Sequence, residues 1–180
     1  GVIDKDPRTG ELTGILKETA QQLLRRVVPE QTRDDRLQAI RDAIHEAHRF
    51  GITSVQNAGG QPEELELYEE LDRRGELKIR NYHALSVRPG FQETDADRYD
   101  AVREQYSDNE RLRTGAVKIA VDGVVESHTA FLLAPYVDEP TTGIPNYTPE
   151  ELNRIVAMLD RRGWQVFIHA IGDGGVRMAL

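Results

Sequence analysis

The chain has 180 residues, 38% of them apolar and 30% charged, with 31 acidic against 23 basic side chains, no cysteine and a formal net charge of −8. These values fit one globular domain that buries roughly 70% of its unfolded surface, and they exclude a disordered tail, a disulfide framework and thiolate metal ligands. The acidic balance opposes a phosphate backbone, so nucleic acid is not an expected partner, and metal ligands would have to come from His, Asp, Glu or a modified Lys.

In chain order, residues 2–16 carry DPRTGELTG, whose Pro and Gly punctuation predicts a hairpin or loop joining short strands. Residues 18–28 read as a short helix ended before Pro29. Positions 1–31 are thus an irregular hairpin and linker leading into a domain over 32–180. Thr32 with Asp35 three residues on reads as a helix cap, and Leu37, Ile40, Ile44 and Ala47 recur at helical spacing until Gly51. That pattern predicts a helix over 33–50. The β-branched ITSVQN predicts a strand over 52–57, bounded by Ala58-Gly59-Gly60. Pro62 opens a helix over 62–74, a strand follows over 78–85, and a mostly polar helix over 95–106. AVKIAV predicts a strand over 115–121, interrupted by one lysine. After a long loop over 123–147, Thr148-Pro149-Glu150-Glu151 reads as a capping box that opens a helix over 149–162. WQVFIH is the next strand, 164–169, and Gly172-Asp173-Gly174-Gly175 turns the chain into a last helix.

Strands and helices alternate with no hairpin signal between them, which argues for βαβ crossovers and a parallel sheet. In a (β/α)8 barrel the loops after the strands carry the chemistry, and here those loops lengthen along the chain. A full barrel takes about 250 residues, so the expected fold is α/β, a partial TIM barrel. An open doubly wound sheet is the alternative. The start at Gly1 and the stop at Leu180, in the first turns of a helix, read as a piece of something longer. No apolar run approaches the ~18–20 residues of a membrane span and no signal peptide is evident, so a soluble, cytoplasmic protein without a membrane partner is expected.

His169 is the leading candidate for chemistry, because it ends a strand where parallel sheets bind ligands; a histidine bonded to the turn is the competing reading. Lys118 lies in an apolar strand, where an ammonium needs a partner. Asp122, four residues on, falls on the same strand face and would form an ordinary Lys–Asp pair. The sharper reading is a lysine carboxylated by CO2 and bridging two metals. His45 and His48 are three apart, not the four of HExxH, and read as solvent-facing. His83 suits core or mouth. His128, in VVESHTAF, either lines a pocket or is exposed. The GDGG turn could hold an anion at a helix N-terminus, but it lacks the Lys-Ser/Thr of a P-loop, and a tight connection explains it better.

GITSVQNAGG, GAVKIAVDGVVESHTAFLLAPYVDEP and GWQVFIHAIGDGGVRMAL, in this order and spacing, resemble the amidohydrolase superfamily, and within it amidohydrolase family 3, the group containing N-substituted formamide deformylases. The resemblance implies a (β/α)8 barrel with a small β-sandwich and a site for one or two divalent metals, usually zinc. It places Lys118 at the fourth-strand lysine, carboxylated in dinuclear members, and His169 at the fifth-strand metal ligand. It sets Asp122, Glu126 and His128 beside the substrate pocket. The family's first-strand His-x-His, sixth-strand His and eighth-strand Asp have no counterpart in these residues, so the chain corresponds to about strands 2–5 and the general-base Asp is expected beyond Leu180. The implied activity is hydrolysis of a non-peptide carbon–nitrogen bond in a small-molecule amide by metal-activated water. Two readings compete with it. One is a non-catalytic half-barrel that binds or assembles, its strand edges pairing in a homo-oligomer. The other is a different TIM-barrel enzyme that takes an anionic substrate at the Gly172–Gly175 turn.

Overall fold

In the computed structural model, which describes residues 2–17 and 20–180, the Asp6 carboxylate accepts the backbone amides of Arg8 (2.8 Å) and Thr9 (2.9 Å). This turn closes a hairpin of β1 (Val2–Lys5) and β2 (Leu12–Lys17), antiparallel with Ile3 opposite Leu16. The short helix expected over 18–28 is only α1 (Gln21–Arg25), and Glu18 and Thr19 lie outside the described residues. Residues 1–35 form one compact unit and residues 36–180 a second.

Helix α2 (Arg33–Arg49) starts with the expected reciprocal cap. The Thr32 hydroxyl accepts the Asp35 amide at 3.1 Å, and the Asp35 carboxylate accepts the Thr32 amide at 3.0 Å. In the second unit β3 (Ser54–Gly60), α3 (Pro62–Arg73), β4 (Arg80–Ser86), α4 (Glu93–Gln105), β5 (Leu112–Ala120), α5 (Pro149–Arg161), β6 (Gln165–His169) and α6 (Asp173–Ala179) follow, with a 3-10 turn at Val125–Ser127. The four strands lie in the order β3-β4-β5-β6, every neighbouring pair parallel. Because each strand sits beside its sequence neighbour and such crossovers are right-handed, the connecting helices fall on one face, as in a barrel. A doubly wound sheet would reverse its strand order. This one does not.

The register separates two faces. Leu85 pairs with Val117, and Ile119 with Ile168; these side chains pack with Leu65 and Leu71 of α3, Tyr99 of α4, and Ile155 and Leu159 of α5 in one core. The opposite face carries Ser86 beside Lys118, Lys118 beside Phe167, and Ala120 beside His169. Among the described residues no helix is long and apolar enough to cross a membrane.

Boundaries shifted where tertiary contacts outweighed local signals. β3 begins two residues later than expected and runs on through Gly59 and Gly60, which looked like its end. Gly59 has φ +137°, and a Cβ on Gly60 would lie 2.3 Å from His83 Nε2. The glycines therefore sit inside the strand, at a close approach of neighbouring side chains. At α5, the Thr148 hydroxyl accepts the Glu151 amide at 3.2 Å, but the Glu151 carboxylate takes the Gly90 amide at 2.6 Å instead of completing the box. That contact ties the start of α5 to the loop after β4.

Candidate functional site

Lys118 and His169 are brought to one face by the pairing of β5 with β6. Lys118 stands opposite Phe167 and Ala120 opposite His169, and in each strand the two members are two residues apart. Side chains of equal parity share a face, so both candidates line the side away from the helices. The Lys118 ammonium lies 4.1 Å from the centroid of the Phe167 ring, a cation–π contact. Burial lowers its pKa from the ordinary lysine value, since a cation loses hydration there. Among the described residues Lys118 forms no ion pair. Phe167 and Ser86, its cross-strand neighbours, were not singled out from sequence; the only signal was their even spacing from His169 and from strand neighbours, which says nothing until register is known.

Asp122 is not the partner of Lys118, and here the ordinary Lys–Asp reading is corrected. Its side chain is buried, and its two oxygens accept three backbone amides: Phe131 (2.9 Å), Ile171 (3.0 Å) and Gly172 (2.8 Å). The carboxylate thus joins the end of β5, the loop that follows it and the turn after β6. The same bonds overturn the anion reading of GDGG. The Gly175 amide is taken by the Phe131 carbonyl (3.0 Å) and the Gly174 amide by Asp173 (2.9 Å), while a Cβ on Gly172 would meet the Phe131 oxygen at 1.9 Å. The anion held by this turn is Asp122. His169 turns beside it, its Nε2 2.9 Å from the Gly123 carbonyl and 3.9 Å from Asp122 Oδ1.

The other sequence candidates lie apart from this row. Glu126 is exposed in the 3-10 turn. His128, with φ 56°, presents Nε2 3.1 Å from both oxygens of Asp138 and packs edge-on against Tyr136. His45 and His48 are exposed on α2, where His48 Nε2 is 3.1 Å from the Lys78 carbonyl. His83 is fully buried on the helix-covered face, with Nδ1 3.1 Å from the Asn57 amide nitrogen and Nε2 4.0 Å from Glu64.

Burial holds the His83 pKa below its ordinary 6.5, and the Glu64 charge opposes this more weakly. The native state therefore binds the proton less readily than the unfolded chain. Stability is full above pH 6.5 and is lost as pH falls from there through the native value. His83→Gln is expected to flatten that loss; denaturant midpoints at pH 7.5 and 5 for both proteins provide the check, and parallel slopes would contradict it.

No group of three His, Asp or Glu side chains placed to hold a metal occurs among the described residues. Lys118 and His169 share one face but do not by themselves make such a group.

Comparison with known proteins sets this geometry in context. A model of the amidohydrolase family, the family-3 branch, matches residues 1–180. The chain is 32% identical over 179 residues to "Putative amidohydrolase YtcJ" of Bacillus subtilis (strain 168), covering 96% of this chain and 32% of that protein. It is 31% identical over 193 residues to "Protein LONG AFTER FAR-RED 3" of Arabidopsis thaliana, covering all of this chain and 32% of that one. Among solved structures, an uncharacterized metal-dependent hydrolase from Pyrococcus furiosus superposes with a TM-score of 0.68 at 26% identity, over 99% of this chain and 37% of its own. Its counterpart from Pyrococcus horikoshii OT3 gives 0.68 at 27%, over 98% and 36%. The chain spans about a third of the length of each of these proteins.

Proposed function

The chain belongs to the amidohydrolase family, and on that premise we propose that it forms part of a metal-dependent hydrolase that cleaves a carbon–nitrogen bond outside peptides, with N-substituted formamides as the reference substrates. The observation that carries this reading is the β5–β6 register, which sets Lys118 and His169 on one face at the C-terminal ends of adjacent strands. Their chemistry suits two positions of a metal shell. His169 offers an imidazole nitrogen, Nδ1, while its Nε2 lies 2.9 Å from the Gly123 carbonyl. Lys118 offers an amine that burial biases toward the neutral form, the form that adds CO2 to become a carboxylate. A catalytic zinc normally takes three protein ligands, so this reading assigns the remaining ligands, and the aspartate that accepts the proton, to further segments of a longer polypeptide. When bound, one or two such ions would supply a water of pKa near ~7 and polarise the substrate carbonyl. Asp122, with its oxygens held by backbone amides, keeps the turn after His169 in place. A small-molecule amide is the partner required; nucleic acid and membrane have no part in it.

The test is zinc content measured by mass spectrometry alongside amine release from a panel of N-substituted formamides, for a full-length protein containing this segment and for residues 1–180 alone. Zinc-dependent turnover is expected from the full-length protein, with weak metal binding and no turnover from the 180 residues. Hydrolysis insensitive to chelation would overturn the metal reading, and turnover by the 180 residues as a clean monomer would show the site misassigned.

A further inference from the structure

At the C-terminal end of β4 the chain reads Ser86-Val87-Arg88-Pro89-Gly90. Val87 packs into the core and donates its amide to the Lys118 carbonyl at 2.8 Å. Ser86 and Arg88 both line a cleft of about 440 Å3, walled further by Gln61 after β3 and by Phe91, Asp95 and Tyr99. The cleft lies at the C-terminal end of β4, the end of the sheet where this architecture places substrates.

The charged groups around it are unequally committed. Asp95 accepts the Gln92 amide at 2.8 Å in the cap of α4. Arg98, on the same wall, is paired with Glu63. Arg88 is exposed and has neither an ion pair nor a side-chain hydrogen bond among the described residues. That is notable in a chain where acidic side chains outnumber basic ones by 31 to 23. The Ser86 hydroxyl is likewise without a hydrogen-bond partner among the described residues. A Cβ on Gly59 would lie 3.1 Å from Ser86 Oγ and 3.2 Å from Lys118 Cγ, so Gly59 keeps open a space bordered by both. An unpaired guanidinium fork and an unpaired hydroxyl share this cleft, whose one carboxylate already accepts a backbone amide, so the open set is led by charged donors. The complement of that set is a carboxylate.

We propose that Arg88, assisted by Ser86, is a specificity-determining anion site that takes a carboxylate carried by the amide substrate and so orients the scissile bond toward the Lys118–His169 face. The assignment rests on the hydrolase reading for the bond that is cut; the recognition itself stands on the cleft. It predicts a preference for carboxylate-bearing amides over neutral amides of the same size.

The experiment is an NMR titration of the protein with succinamate and, in parallel, with its neutral counterpart succinamide, reading the Arg88 Nε–Hε resonance. Succinamate is expected to bind about 10- to 100-fold more tightly and to shift that resonance, the range expected for a hydrogen bond to a charged group. Arg88→Met removes the preference while leaving succinamide binding unchanged. Arg88→Lys keeps part of it, since the charge stays and the fork is lost. Equal affinities for the two probes, or a preference that survives in Arg88→Met, would overturn the assignment. The two readings fail separately. If zinc-dependent hydrolysis is found but is indifferent to Arg88 and to probe charge, the anion site falls and the hydrolase stands. If no amide is hydrolysed but the preference tracks Arg88, the hydrolase reading falls and the anion site stands.

Discussion

Asp122→Ala is expected to destabilise the second unit by about 3–5 kcal/mol, because it leaves three backbone amides without their acceptor, and each unsatisfied buried donor costs about 1–3 kcal/mol before water relieves part of it. The amides belong to Phe131, Ile171 and Gly172, which lie on the loop after β5 and the turn after β6. The loss should therefore be local as well as global. In hydrogen exchange those three amides should lose protection first, and the loop should open by sub-global fluctuation before the sheet does. Asp122→Asn keeps the shape and one acceptor oxygen, but turns an NH2 toward a donor. A loss of about 1–2 kcal/mol, between wild type and alanine, is expected from that partial satisfaction. Urea unfolding measures both variants. An alanine variant within 1 kcal/mol of wild type, with exchange at the three amides unchanged, would show that the carboxylate is not what holds the turn.

Removing either side chain of the Lys118–His169 face should have the largest effect on activity. In a full-length protein, His169→Ala and Lys118→Ala are each expected to lose zinc and to reduce hydrolysis about 10^3-fold or more, since a metal ion supplies several kcal/mol of transition-state stabilisation and each 1.36 kcal/mol is tenfold. Lys118→Arg separates two roles for the lysine. Arginine keeps the positive charge and the contact with Phe167 but does not become a carboxylate. If Lys118 serves only as a cation over the ring, the arginine variant retains zinc and most activity. If it serves as a carboxylated ligand, arginine is as damaging as alanine. His45→Ala, on the exposed face of α2, should change neither zinc content nor rate. Equal losses from His45→Ala and Lys118→Ala would remove the basis for the site.

The elements were legible along the chain because their signals are local. Thr32 with Asp35, Pro62, and Thr148 with Pro149 mark helix starts that the structure places within a residue of expectation. Alternation of strand and helix was enough for a parallel α/β fold, since antiparallel neighbours would need hairpin turns absent from this part of the sequence. His169 was legible because a strand end is a positional statement. The choice between barrel and doubly wound sheet was not, because periodicity reports which residues face a core and not which strand lies next to which.

What the sequence by itself determined is the set of elements, the residue types able to hold a metal and, through Lys118, Asp122 and His169, the positions where charge meets an apolar strand. Tertiary structure alone decided which of these work together. Register carried Lys118 onto Phe167 and to the same face as His169, whereas Asp122, two residues past the end of β5 and of the same parity as Lys118, went to the amides of a turn fifty residues away. It also turned Gly59 and Gly60 from an expected strand end into strand interior, because Ser86, Lys118 and His83 approach too closely for any Cβ. The physical reason is the same in each case. Local propensity depends on neighbours along the chain, while the partner of a buried charge is whichever group the packed strands bring within hydrogen-bond distance.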